Sequence, residues 1–175
     1  MKLDVGCGPN KKEGYYGIDK IKFPNVDIVC DVGKDKMPIA DEVVEHIYTA
    51  HFIEHLDAEE RINFMNEAYR VLKPGAKIEI IAPYWSSGRA YGDPTHKWPP
   101  ITDFWFYYLD KKWRMSNAPH TDSEHWDKGY SCDFSASWGY NLHGELLTRN
   151  QEFQLFACTF YKESIQDIHA TLTKK

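Results

Sequence analysis

The sequence contains no apolar run long enough to cross a bilayer and no charged leader followed by an apolar segment, which predicts a cytoplasmic protein with no membrane partner. Positive charge is not in excess either. With 21 Lys and Arg against 26 Asp and Glu, the net charge of -5 argues against a chain built to coat phosphate backbones, so nucleic acid is not the expected partner. Cysteine is scarce. Cys7, Cys30, Cys132 and Cys158 include no CxxC pair, which predicts reduced thiols rather than a disulfide framework. There is also no internal repeat, low-complexity tract or linker, so a single domain over residues 1–175 is expected.

What is present begins at the amino terminus, where the short run Lys2-Leu3-Asp4-Val5 breaks into Gly6 and Gly8. Glycine permits a sharp turn and the close approach of a ligand, and Cys7 between the two reads as a small turn residue. A second extended run, Tyr15–Asp19, ends in an acid, as expected for a nucleotide-like ligand held over a parallel sheet. The link between these runs is too short for a helical crossover, so a turn or loop must replace the first helix. Val26–Asp31 reads as a third strand, again ending in an acid. Met37–Val44 leaves room for a turn or two of helix before a fourth strand at Glu45–Ala50.

The strongest helix signal starts at Asp57, with Glu60 three residues on as a capping box. Ile62, Met65, Ala68, Tyr69 and Leu72 then recur at helical spacing until Lys73-Pro74-Gly75. A fifth strand follows at Lys77–Ala82, stopped by Pro83. All six tryptophans lie in an aromatic-rich region at about 84–140, better suited to core packing than to a substrate wall. Within it Thr102 is placed to cap a helix through Arg114, with Lys111, Lys112 and Arg114 near its negative end. Phe134–Leu142 and Ile168–Thr173 alternate apolar and polar residues as half-buried strands do, and Phe153–Tyr161 between them suits a helix. The sum predicts an α/β fold, a mainly parallel sheet with an antiparallel pair at one edge and helices on both faces.

Taken in order, Leu3-Asp4-Val5-Gly6-Cys7-Gly8-Pro9, Gly17-Ile18-Asp19, Cys30-Asp31, the segment Tyr48–Leu56 and Tyr69–Gly75 resemble the motifs of the class I methyltransferases that use S-adenosylmethionine. The resemblance covers the chain to about Lys97 and implies a Rossmann-like methyltransferase fold with S-adenosylmethionine as cofactor. It further implies that the backbone around Gly6, Cys7 and Gly8 lines the aminocarboxylate and sugar, with Asp4 holding loop amides or water nearby. Asp19 would accept both ribose hydroxyls, Asp31 would reach the adenine amino group beside Val32, and Ala50 and His51 would face the methionine part. A nicotinamide cofactor fits less well, because Lys11 stands at the third-glycine position of GxGxxG. The abbreviated first crossover leaves the cofactor loop weakly supported, and a partner chain, including a second copy, is one way to complete the site.

His51-Phe52-Ile53-Glu54-His55 also spells the inverted zinc-peptidase motif, for which Glu67, His96, His120 and His125 are third-ligand candidates. A zinc hydrolase is therefore one alternative and a non-catalytic cofactor-fold binding protein another. The surrounding motifs favour the methyltransferase and no metal, with Glu54 and His55 bonding to nearby backbone to set a turn. On the substrate side, Gly92-Asp93-Pro94-Thr95-His96-Lys97 resembles a segment of part of that family. His96 is then the first candidate base and His51 the second, with Tyr84 and Trp85 lining the pocket. The methyl acceptor is not specified by the sequence, and a small molecule is favoured.

Overall fold

A computed structural model describes residues 1–175. Seven strands form one sheet: β1 (Lys2–Val5), β2 (Tyr16–Asp19), β3 (Ile28–Val29), β4 (Val44–Ala50), β5 (Leu72–Pro83), β6 (Phe134–Leu142) and β7 (Ile165–Lys174). Their order across the sheet is β3-β2-β1-β4-β5-β7-β6. Parallel pairing joins β3 through β5, whereas β7 runs antiparallel to both β5 and β6. The mainly parallel sheet with an antiparallel edge pair is thus borne out.

Two adjacent rows across this sheet explain how it is layered. Leu3, Ile47, Ile78, Leu172 and Ala136 lie side by side in register, and the first four are fully buried. The next row is Asp4, Tyr48, Glu79, Thr171 and Ser137. Because neighbouring strand residues point to opposite faces, one face is apolar and the other polar. Helix α1 (Ala58–Val71) contributes Phe64, Met65, Ala68 and Val71 to the apolar core. Its start carries the expected capping box, Asp57 accepting from the Glu60 amide at 3.0 Å and Glu60 accepting from the Asp57 amide at 2.9 Å.

On the polar face over β1 and β4, the loop of residues 6–15 takes the place of a helix. The Lys12 ammonium sits 3.7 Å from the centre of the Tyr48 ring, and the Tyr15 ring meets His46 edge-on at 5.8 Å. The first crossover is therefore a loop, as its length demanded. Farther along that row, Glu79 and Thr171 are half-buried and Ser137 is exposed, so the layer of helices expected over this face is not continuous.

Three elements differ from the sequence reading. The third strand shrinks to Ile28–Val29, and the short helix expected before β4 is replaced by turns. Pro38 interrupts that segment, and the Met37 amide is bound instead by the Glu67 carboxylate at 2.7 Å. The single helix from Thr102 to Arg114 is two, α3 (Asp103–Tyr107) and α4 (Lys111–Asn117), separated because Asp110 caps a new start by accepting from the Trp113 amide at 2.9 Å. Lys111 and Lys112 consequently open α4 rather than close a helix, and Thr102 makes no side-chain cap. A short α2 (Arg89–Gly92) precedes them.

The aromatic-rich region divides. Phe106 and Tyr130 are buried, and Trp105, Tyr108 and Trp138 pack against the core, the Trp138 ring stacking on Phe106 at 5.8 Å. Trp85, Trp98 and Trp126 are exposed. Helix α5 (Gln151–Phe160) forms where expected between β6 and β7, with only Ala157 buried.

Candidate functional site

The carboxyl ends of β1, β2 and β3 open onto a cavity of about 530 Å³, a volume suited to a nucleotide-sized ligand. Its wall on this side includes Gly6, Gly8, Asp19, Asp31 and Val32, so five of the cofactor residues expected from the sequence meet in one place. Gly6 adopts φ +70° and donates to the Ile18 carbonyl at 2.8 Å. An added Cβ there would overlap the Phe52 ring, whereas at Gly8, with φ +52°, it would meet nothing within 4 Å. Gly6 is needed for the turn and for packing. Gly8 keeps the wall open.

Asp19 both builds and faces the cavity. One carboxylate oxygen accepts from the Gly8 amide at 2.9 Å and the other from the Ile21 amide at 2.8 Å. Each carboxylate oxygen has a further lone pair, so two hydroxyl donors can still be received. Asp31 is partly exposed, with the Lys34 ammonium 3.8 Å away, and Val32 is buried beside it.

Asp4, Cys7 and Ala50 do not line the cavity. Asp4 is buried and accepts from the Lys12 amide at 2.7 Å, holding the glycine loop from below. Burial pushes its carboxyl above the ordinary value even though that amide and the nearby lysines pull it down. Burial, helped by Asp4 and Asp19, pushes the Cys7 thiol up to about 11, which keeps it protonated and agrees with a small turn residue. Ala50 pairs with Ile81 inside the sheet.

The opposite wall comes from farther along the chain. His51 follows β4 in a left-handed conformation, φ +52°, with its amide bound to the Ile81 carbonyl at 2.9 Å. Its imidazole lines the cavity, and its Nδ1 lies 3.5 Å from a carboxylate oxygen of the buried Glu54. That carboxylate raises the His51 pKa against the opposing effect of burial. Ile53–His55 makes only a single 3₁₀ turn. His51 and His55 therefore do not share one helix face, and the inverted zinc-peptidase arrangement is not formed.

His55 lines the cavity together with Thr95 and Lys97, and the expected backbone bonds of Glu54 and His55 side chains are replaced by side-chain partners. Buried Arg61 joins the two segments by donating to the Ile53 carbonyl at 3.0 Å and the Lys97 carbonyl at 3.4 Å, while the Lys97 amide donates to the Glu54 carbonyl at 2.8 Å. His96 is mostly buried behind His55, ring centres 4.8 Å apart, and is not part of the cavity wall. Tyr84 and Trp85 are also absent from it. Tyr84 is buried against Asp103, and Trp85 faces another groove.

Sequence reasoning gave no ligand role to Lys20, Ile21, Phe23, Phe52, Leu56 and Glu60, which also line the cavity. Ile21 and Phe23 in a loop directly after Asp19 are the one signal that pointed there, since apolar residues beside a strand-end acid suit a flat ring. Phe52 gave none, because its place depends on Gly6.

Residues 15–80 match the family model of a methyltransferase domain. Solved structures with a similar fold include a SAM-dependent methyltransferase from Archaeoglobus fulgidus, 21% identical with a TM-score of 0.67, the match covering 99% of this chain and 85% of that one. A SAM-dependent methyltransferase from Methanosarcina mazei is 14% identical with a TM-score of 0.57 over 99% and 91% of the two chains. Geranyl diphosphate C-methyltransferase from Streptomyces coelicolor A3(2), solved with Mg2+, geranyl diphosphate and S-adenosyl-L-homocysteine, is 14% identical with a TM-score of 0.56 over 99% and 73%. No curated protein matches the sequence. No helix is long and apolar enough to cross a membrane.

Proposed function

We propose that the chain is a class I S-adenosylmethionine-dependent methyltransferase whose single domain, residues 1–175, methylates a small-molecule acceptor at the rim between His51 and Lys97. The observation that supports this reading best is the shared wall of Gly6, Gly8, Asp19, Asp31 and Val32 around one cavity. The open side of Gly8 and the free acceptor capacity of Asp19 fit a ligand with a sugar edge, and Val32 with Phe23 gives apolar surface for a flat base. Gly6 and Gly8 would hold the amino-acid part, Asp19 the ribose, and Asp31 with Val32 the adenine. Asp4, Cys7 and Ala50 serve this site as supports of its loops and strand. S-adenosylmethionine supplies an electrophilic methyl on a sulfonium.

The chain's own work is to place a nucleophile in line, exclude water and receive a proton where one is lost. His51 is the base in this reading, because its imidazole reaches the cavity and Glu54 orients it. His96 is one layer too deep for that task. A small acceptor accords with a concave site, and geranyl diphosphate, the compound named for the Streptomyces relative, is itself a small molecule.

Calorimetry with S-adenosylmethionine and S-adenosylhomocysteine tests the reading. One binding site for each is expected, and a folded sample that gives heat with neither overturns it.

A further inference from the structure

Glu54, His55 and His96 each place a potential ligating atom within 4.8 Å of the other two. The hydrogen bonds behind these histidines determine which nitrogen is free. Thr95 Oγ1 lies 2.7 Å from Asp93 and 3.0 Å from His55 Nδ1. The carboxylate can only accept, so it takes the Thr95 hydroxyl proton, and Thr95 Oγ1 in turn accepts from the His55 Nδ1–H. The Ala90 carbonyl, 3.2 Å from His96 Nδ1, likewise fixes the proton of the second ring. Both rings thus carry their Nδ1 proton on a fixed acceptor and leave Nε2 as the nitrogen that can ligate, the outer support that orients metal-binding histidines.

Glu54 supplies an independent sign. Its side chain is 5% exposed, and its Oε2 is buried without any hydrogen-bond partner, while Oε1 faces His51. Leaving a carboxylate oxygen buried and unpaired is costly unless a cation or proton meets it. Two imidazole nitrogens beside such an oxygen make a borderline-soft donor set with one carboxylate. Asp93 Oδ2 lies 3.9 Å from His96 Nε2, and His55 brings the cluster to the cavity wall.

We propose that Glu54, His55 and His96 bind one divalent first-row transition-metal ion of the zinc type, with an open coordination position toward the cavity. Ligand atoms in a tetrahedral site lie roughly 3.4 Å apart at bond lengths near 2.1 Å. Binding thus draws the three side chains together by about 1 Å. His51 stays outside the set. The proposal goes beyond the methyl-transfer reading and does not depend on it.

The test titrates Zn2+ and Co2+ into the full-length protein stripped with a chelator, following heat for zinc and visible absorption for cobalt. One equivalent is expected, with affinity lowered at least 100-fold in His55→Ala and in His96→Ala. Thr95→Ala, which removes only the outer support of His55, should weaken binding about tenfold, and it keeps the test valid if a histidine variant fails to fold. His143→Ala, remote from the cluster, should bind as the unaltered protein does. No binding by the unaltered protein, or binding that both His55→Ala and Thr95→Ala leave unchanged, overturns the proposal.

Discussion

The two walls of the cavity are built in different ways. The wall proposed for the cofactor uses the ends of three parallel strands within residues 6–32, so its members are close in sequence and each follows a strand. The wall proposed for the acceptor joins residues 51–60 to 95–97 through Arg61 and the Lys97 amide, contacts that span about forty residues. Strand ends impose the first wall wherever a parallel sheet forms. The second exists only while two separate loops are held together, and it is therefore the softer part of the site.

The largest effect that would sharpen this contrast is expected at Gly6. Gly6→Ala forces a side chain into a left-handed turn and against Phe52, which should destabilise the fold by about 3 kcal/mol, combining strain and overpacking. Gly8→Ala has open space and should cost about 1 kcal/mol of stability, yet it should weaken cofactor binding because the methyl enters the cavity. Urea unfolding with cofactor calorimetry separates the two. Equal stability losses would mean that the Phe52 contact does not support the loop.

Next in size, Asp19→Ala should weaken cofactor binding by about 1.5–3 kcal/mol, the range for hydrogen bonds to a charged group. The same variant also frees the Gly8 and Ile21 amides. Calorimetry that finds unchanged affinity would remove Asp19 from the cofactor wall.

The smallest effect is expected on the acceptor wall at Lys97, whose ammonium lies 2.7 Å from Glu60. Burial raises the Glu60 carboxyl, but Lys97 and the Asp57 amide outweigh it, so the folded pKa lies below the ordinary 4.5. Lys97 is shifted upward from 10.5, chiefly by Glu60. The pairing therefore adds stability above about pH 4.5 and loses it as pH falls through the lower folded value of Glu60. At high pH it fades as Lys97 deprotonates. Since Lys97 is partly exposed, screening limits the loss in Lys97→Met to roughly 0.5 kcal/mol at pH 7. Unfolding measured at pH 7 and pH 3 should show that difference shrinking at the lower pH, and a difference independent of pH would assign it to packing instead.

The same contrast accounts for what was legible. Glycines and strand-end acids act through local backbone geometry, so the turn at Gly6 and Gly8 and the acids Asp19 and Asp31 were visible in the residue pattern, while their cofactor roles came from the family resemblance. The Asp57 and Glu60 capping box was equally plain. His96, read as the first candidate base, stands behind the wall because its depth depends on how the 93–99 loop docks, and Tyr84 is turned away by its contact with Asp103. The break between α3 and α4 turned on Asp110, an ordinary turn acid until its amide partner is seen.

By itself the sequence determined most of the strands, the alternation of the last two, the loop that must replace the first crossover helix, and the glycine turn with its strand-end acids. These follow from alternation, chain length and the conformations open to glycine, all of which act over a few residues. Only the tertiary structure decided that His55 meets His96, that Glu54 turns inward beneath His51, and that Asp4 supports the glycine loop without touching the cavity. Each of those depends on which distant segments share the limited space above the sheet, and side-chain packing and hydrogen bonding between segments settle that choice.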